Sequence, residues 1–221
     1  MTYMIHACPQ RMWYVEGFLL PSMLAQGIRE EEILVRCDTE KRGNLRACAA
    51  RLREAGTMPG GTWHIQDDVL LCRDFAERTR AEDHGIVWGF ACRNFGDDPN
   101  YAGEVPAAFA WHSFQCIRLP NELAAEWPVW LEREAPQIQT FAEKIQSGKC
   151  DDELLRGFLR EKHGTEHVRN LVPNLVEHVD FLIGGTVLNP LRRIKVNRSM
   201  YWEDEELISA LEAEIRVKRE K

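Results

Sequence analysis

Two adjacent carboxylates, Asp67 and Asp68, close the stretch TWHIQDD, directly after an apolar run that reads as a buried strand. Like charges side by side repel, and taking either out of water is costly, so the pair needs a counter-charge. A hard divalent cation meets that need: Mg²⁺ is commonly bound through one or two protein carboxylates, with substrate phosphates filling its other positions. The chemistry on offer is a diphosphate held on Mn²⁺ or Mg²⁺. The plain alternative is a solvated turn, with Asp67 capping a helix through VLLCRDF.

Further residues have two readings each. His178 in EHVD is either a satisfied core histidine or a ligand, and an imidazole suits Mn²⁺ better than Mg²⁺. Asp151 and Asp152 open the segment DDELLRGFLREKHG, where a carboxylate caps the helix or serves as a general base toward a hydroxyl. Asp38 is followed by TEKRGNLRA, in which Gly43 permits close approach of backbone to a ligand and Asn44 caps the next helix or reads a base. RRIKVNR gathers Arg192, Arg193, Lys195 and Arg198 into a solvated face or a phosphate contact. Trp111, His112 and Gln115 in WHSFQCIRLP belong to a half-buried strand or to the side of a ligand crevice, and Tyr201 and Trp202 stack on a ligand or pack against the core.

The elements that must position these groups alternate. YMIHAC reads as a strand, MWYVEGFLLPSMLAQG as a helix ending near Gly27, EEILVRCD as a second strand, NLRACAARLREAG as a second helix, and TWHIQDD as a third strand. Right-handed crossovers lay such an order out as a parallel sheet, with its loops and ligands at the strands' carboxyl ends, where Asp38, Asp67 and Asp68 all fall. Farther on, GIVWGFACRNF and WHSFQCIRLPN read as strands and DDPNYAGEVP as a loop between them. NELAAEWPVWLEREA reads as a helix kinked or divided at Pro128. ELISALEAEIRVKREK makes a final amphipathic helix. The expected fold class is α/β, a single domain with a mixed, mainly parallel central sheet flanked by helices.

Composition narrows the functions. At 221 residues, 44% hydrophobic and 29% charged, the chain fits one globular domain with a sizeable core. Seven cysteines, odd in number and without a C-x-x-C pair, argue against a disulfide framework or zinc cluster and suit a reducing cytoplasm. No apolar run approaches bilayer length, and the N-terminus lacks a signal pattern. The net charge of −7 disfavours polyanion binding by the whole surface while leaving room for a local basic patch.

The strand-helix-strand-helix-strand start, Asp38 after the second strand, QDDV after the third, DDELL opening a later helix and the late histidine near GG together resemble the GT-A class of nucleotide-sugar glycosyltransferases, over most of residues 1–190. TWHIQDDV, PNLVEHVDFLIGGT and RSMYWED look like small bacteriophage or prophage glycosyltransferases, the DNA-modifying, TET-associated type among them. The resemblance implies a GT-A-like domain over 1–190, followed by a basic segment and core-packed helix over 191–221. It implies that Asp68 binds the cation bridging the donor's phosphates, with His178 as a further ligand, and that Asp67 holds the ribose or the metal's water shell. QDD departs from the family's D-x-D, so which acid ligates stays open. It also implies Asp152 as base with Asp151 beside it, Asp38, Gly43 and Asn44 around the nucleoside, Arg198 at the phosphates, and Trp111, His112 and Gln115 on the acceptor side. The implied reaction moves a sugar, from a UDP-sugar foremost, to a hydroxyl, one candidate being 5-hydroxymethylpyrimidine in phage DNA in a host cytoplasm. A noncatalytic nucleotide- or DNA-binding protein is an alternative. So is a nucleotidyltransferase, although ACPQRMWYVEG lacks the Gly-rich phosphate loop expected after its first strand.

Overall fold

The computed structural model describes residues 1–83, 85–90, 103–106, 114–145, 150–163, 167–184, 202 and 204–219. Strand β1 (Thr2–Ala7) is flanked in parallel by β2 (Ile33–Cys37) and β3 (Gly61–Gln66), and Ile5 pairs with Val35 on one side and Ile65 on the other. The expected alternation therefore holds through β3. The connections are helical: α1 (Met12–Tyr14) and α2 (Leu20–Ala25), joined by a π turn at Val15–Leu19, link β1 to β2, and α3 (Asn44–Ala55) links β2 to β3.

After β3 come β4 (Val69–Leu71), α4 (Phe75–Ala81), β5 (Val87–Trp88), β6 (Gly103–Pro106) and β7 (Cys116–Pro120). Helices α5 (Asn121–Ile145) and α6 (Cys150–His163) precede β8 (His167–Asn170), β9 (Val176–His178), α7 (Asp180–Ile183) and α8 (Glu205–Arg219). Among the described residues the main sheet has seven strands in the order β2-β1-β3-β7-β5-β8-β6, and β4 pairs with β9 in a separate two-stranded ribbon. β7 runs against both β3 and β5, and β6 against β8, so five strands point one way and two the other. The result is a mixed α/β domain with a mostly parallel sheet.

Three expectations change. VLLCRDF opens as a strand, not a helix, because Val69, Leu70 and Leu71 find a ladder partner in β9. Gly103–Pro106, read as part of a loop, is an edge strand on β8. Helix α5 runs through Pro128 without dividing, in the stretch where Ala124, Trp127, Trp130 and Leu131 bury one face. Burial of such side chains, worth about 1.5–3 kcal/mol each, outweighs the hydrogen bond that proline removes.

The period-two alternation of the strands sorts the core onto two sides. Tyr3, Ile5, Trp63 and Ile65 face the π turn, α2, α4 and α8, where Ile208, Leu211 and Ile215 of α8 and the side chain of Trp202 are buried. Met4, Trp88, Ile117 and Leu119 face α3, α5 and α6, where Leu155, Phe158 and Leu159 are buried. Gly56 ends α3 where a Cβ would come within 2.5–2.9 Å of Ala125 atoms, so the ends of α3 and α5 meet backbone against backbone. No helix among the described residues is long and apolar enough to cross a membrane.

Candidate functional site

The carboxyl ends of β1, β2 and β3 converge on one edge. The Asp67 amide donates to the His6 carbonyl at 3.1 Å, extending the β1–β3 ladder by one residue. Asp67 and Asp68 then form the two-residue turn that reverses the chain into β4. Val69 pairs with His178 in the β4–β9 ladder, and the Val179 amide donates to the Asp68 carbonyl at 2.8 Å. The backbone alone thus brings the late histidine beside the acid pair, and the Tyr14 hydroxyl pins the ribbon by donating to the Val69 carbonyl at 2.8 Å.

Both acids are buried, and their counter-charge is a side chain. Nη1 of Arg11, itself buried, donates to Asp67 Oδ1 at 2.9 Å and also to Asp68 Oδ2. Within the protein a guanidinium bridges the pair and supplies a counter-charge. Asp67 Oδ2 accepts the Cys8 amide at 2.7 Å, so both Asp67 oxygens are engaged by the protein. Asp67 thereby clamps the β1–α1 turn.

Asp68 is the acid with capacity left. Its Oδ1 is buried and has no hydrogen-bond partner, while Oδ2 lies 3.1 Å from His178 Nε2 without the alignment of a hydrogen bond. Burial opposes ionisation of Asp68, but Arg11 and then His178 outweigh it and hold the carboxyl well below the usual range. Asp67 goes the other way, pushed up by burial and by Asp68's charge. Burial works against a protonated His178, yet Asp68 raises its pKa, and Asp180 Oδ1 lies 3.8 Å from its other ring nitrogen. Cys8 is no nucleophile here, because burial and then Asp67 push its thiol up to about 12.

These residues fit a divalent cation in part. Two octahedral ligands, each about 2.1 Å from an ion, sit about 3 Å apart when adjacent, which matches a nitrogen and an oxygen that approach without bonding each other. Asp68 and His178 would hold the ion. Among the described residues no group of three or more His, Cys, Asp or Glu side chains is arranged for one, so a ligand's phosphates would have to complete the sphere.

The neighbouring loop is built by Asp38. Its Oδ1 accepts the Arg42 amide at 3.1 Å and its Oδ2 the Gly43 amide at 3.2 Å. Gly43, at φ +83°, stands at the cap of α3, which makes Asn44 the first helical residue and corrects its assignment as the cap. Arg51, half a helix on, is buried and donates to the Ala7 carbonyl at 2.8 Å, adding a second cation beneath the crevice. Gln115 is buried at the amino end of β7, with its carbonyl accepting the Gln66 amide and its Oε1 unpartnered. Asp151 and Asp152 fall in the first turn of α6. Trp111, His112, Arg192, Arg193, Lys195, Arg198 and Tyr201 lie outside the described residues. Trp202 takes the packing role.

Sequence reasoning missed Arg11, Arg51 and Asp180. A basic residue four positions past a strand carries no pattern of its own, whereas Asp180 was visible as the last letter of EHVD.

No protein-family model matches the chain, and no curated protein matches it in sequence. Among solved structures it is similar to the inositol-1-phosphate CTP transferase from T. maritima, at 10% identity and a TM-score of 0.47, over 97% of this chain and 95% of that one. A likeness at that level leaves the activity to be argued from the site.

Proposed function

We propose that the protein is a transferase of the nucleotide-sugar-dependent class, with a GT-A-like arrangement of sheet and site. More particularly, we read it as a divalent-metal-dependent glycosyltransferase that moves a sugar, from a UDP-sugar foremost, to a hydroxyl acceptor. The observation that carries this is the buried approach of His178 Nε2 to Asp68 Oδ2, at 3.1 Å and out of hydrogen-bond alignment, on the carboxyl edge of parallel strands. Ligands of open α/β sheets bind at that edge. The β1–α1 turn favours sugar transfer over nucleotidyl transfer, since Cys8 to Arg11 enters a tight 3-10 turn at Pro9 and has no glycine loop to wrap a triphosphate.

In this reading Asp68 and His178 hold Mn²⁺ or Mg²⁺, which when bound neutralises charge on the leaving diphosphate. The Asp38 loop, with Gly43 and Asn44, borders the nucleoside, and Arg198 belongs to the phosphate side. Asp152, with Asp151 next to it, takes the proton of the acceptor hydroxyl as its oxygen attacks the anomeric carbon. The bond from that carbon to the diphosphate breaks, and the nucleoside diphosphate leaves with the electron pair, giving inversion. Trp111, His112 and Gln115 belong to the acceptor side, for which a hydroxymethylated pyrimidine in DNA is one candidate.

The test is thermal unfolding with and without Mn²⁺ against UDP-, GDP-, ADP- and CMP-sugars. A donor at about 100 times its dissociation constant adds about 2.7 kcal/mol of stability. A shift that needs both metal and one nucleotide, and disappears in Asp68→Ala, supports the reading and names the donor. A shift that survives Asp68→Ala removes its basis.

A further inference from the structure

We propose that Arg51 is a phosphate-binding residue: its buried guanidinium, held at the carboxyl end of β1 with no acid paired to it among the described residues, receives a phosphate group without the help of a metal. The inference goes beyond the cation-dependent reading above and does not need it.

Among the described residues three arginines are buried, and two of them are compensated. Arg11 lies on Asp67 and Asp68, while Arg118 donates to the Gly85 carbonyl at 2.7 Å and to the Asp83 carbonyl. Arg51, with 8% of its surface exposed, makes one bond among the described residues, from Nη2 to the Ala7 carbonyl at 2.8 Å. That carbonyl also accepts the Asp38 amide at 3.0 Å, so it does not need Arg51 to be satisfied. A guanidinium stays charged, and a buried charge without a partner is costly. The position calls for an anion.

The described part of the chain does not supply one. Burial lowers the pKa of Arg51 by more than Asp38 and Asp67 raise it, and neither acid bonds to it. Both acids are committed elsewhere, Asp38 to the Arg42 and Gly43 amides and Asp67 to Arg11 and the Cys8 amide. His6 and His64 are held neutral by burial and by Arg51 itself.

The place suits a ligand. Arg51 reaches from the middle of α3 to the end of β1, which lies in the sheet between β2, with its Asp38 loop, and β3, with Asp67 after it. Open α/β sheets bind ligands at this edge. On a chain of net charge −7, an anion needs a local positive point, and an arginine without a paired acid is one. The planar fork of a guanidinium matches two phosphate oxygens, which makes phosphate the chemistry this residue fits. The phosphate could belong to a nucleotide or to a free phosphoanion, and the two are separable.

The experiment is calorimetric titration in EDTA of the full chain and of Arg51→Met with pyrophosphate, UDP and uridine, with the melting temperature of each protein measured alongside. The unchanged protein should bind pyrophosphate, and R51M should bind it at least about tenfold more weakly. A parallel loss for UDP, with uridine bound alike by both proteins, identifies a nucleotide phosphate, whereas a loss for pyrophosphate alone identifies a free phosphoanion. Without ligand R51M should melt no lower than the unchanged protein, since it gives up an uncompensated charge. Equal affinity of the two proteins for pyrophosphate and UDP, or a loss that extends equally to uridine, overturns the inference and makes Arg51 a structural brace. Absence of binding of both phosphates in EDTA also overturns it, and leaves the functional reading standing if Mn²⁺ then brings UDP on. Pyrophosphate bound through Arg51, with no nucleotide sugar bound with or without Mn²⁺, sinks the functional reading and keeps this one. Should R51M lack a cooperative transition, Arg51→Lys decides, since lysine keeps the charge and loses the fork. Weaker pyrophosphate binding then supports the inference, and equal binding rejects it.

Discussion

His178 Nε2 lies 3.1 Å from Asp68 Oδ2 although neither residue is near the other in the chain, and the β4–β9 ladder is what joins them. In the cation-dependent reading proposed above, these two buried groups would share the ion. Asp68→Asn keeps the shape and removes the charge. Transfer should fall by at least about 100-fold, because electrostatic stabilisation of the leaving diphosphate is lost. The Mn²⁺-dependent thermal shift should vanish in the same variant, and radiometric transfer plus thermal unfolding read both. Retention of the shift in Asp68→Asn would remove Asp68 from the cation site.

Asp152→Asn separates chemistry from binding. A general base contributes about 10²–10⁴ in rate, so turnover should fall within that range while the UDP-dependent shift persists. Asp151→Asn, one position nearer the start of α6, should leave turnover within a few-fold and lower stability by about 0.3–1 kcal/mol through loss of a negative charge in the first turn. If the two variants exchange behaviour, Asp151 is the base.

What the sequence disclosed follows from the range of the interactions. Strands β1 to β3 and the helices between them are written in local periodicity, and the acid pair is visible because it abuts the third strand. Arg11 was not legible as a partner, since its bonds to Asp67 and Asp68 span more than fifty residues and leave no spacing pattern. The same holds for β4 and β9, three residues each, which are too short to show alternation and exist because they pair. Gly103–Pro106 sits among turn residues and becomes a strand only through β8. Asp67 and Asp68 look equivalent in the sequence, and only the Cys8 amide on Asp67 and the unpartnered Oδ1 of Asp68 tell the clamp from the candidate ligand.

Gly43 tests whether the Asp38 loop borders the donor. At φ +83° and ψ 160° its backbone lies in a region that only glycine enters readily, although a Cβ there would meet no neighbour. Gly43→Ala should therefore cost about 1–3 kcal/mol by strain alone, or else shift the loop. In the second case the amides of Arg42 and Gly43 leave Asp38, and nucleotide affinity falls with little change in Mn²⁺ binding. Calorimetric titration with UDP and with Mn²⁺ distinguishes these outcomes, and unchanged UDP affinity would place the nucleoside elsewhere.

The histidine pair under the crevice sets an acid limit on stability. His6 Nε2 and His64 Nδ1 lie 2.9 Å apart, fully buried in the sheet and packed against Phe114. One ring must donate and the other accept, so a second proton on the facing nitrogens is excluded. Burial and then Arg51 lower the His64 pKa to about 3, and burial, Arg51 and His64 lower that of His6. The unfolded chain takes up these protons near pH 6.5 and the folded chain does not, so stability is full above about pH 6.5 and declines as the pH falls toward the folded values. His64 contributes a slope that approaches about 1.4 kcal/mol per pH unit below its unfolded value, and His6 adds to it in the same direction. Urea unfolding at pH 7, 6 and 5 measures the slope. His64→Phe should reduce it by removing one titrating group, and an unaltered slope in that variant would assign the acid sensitivity to other residues.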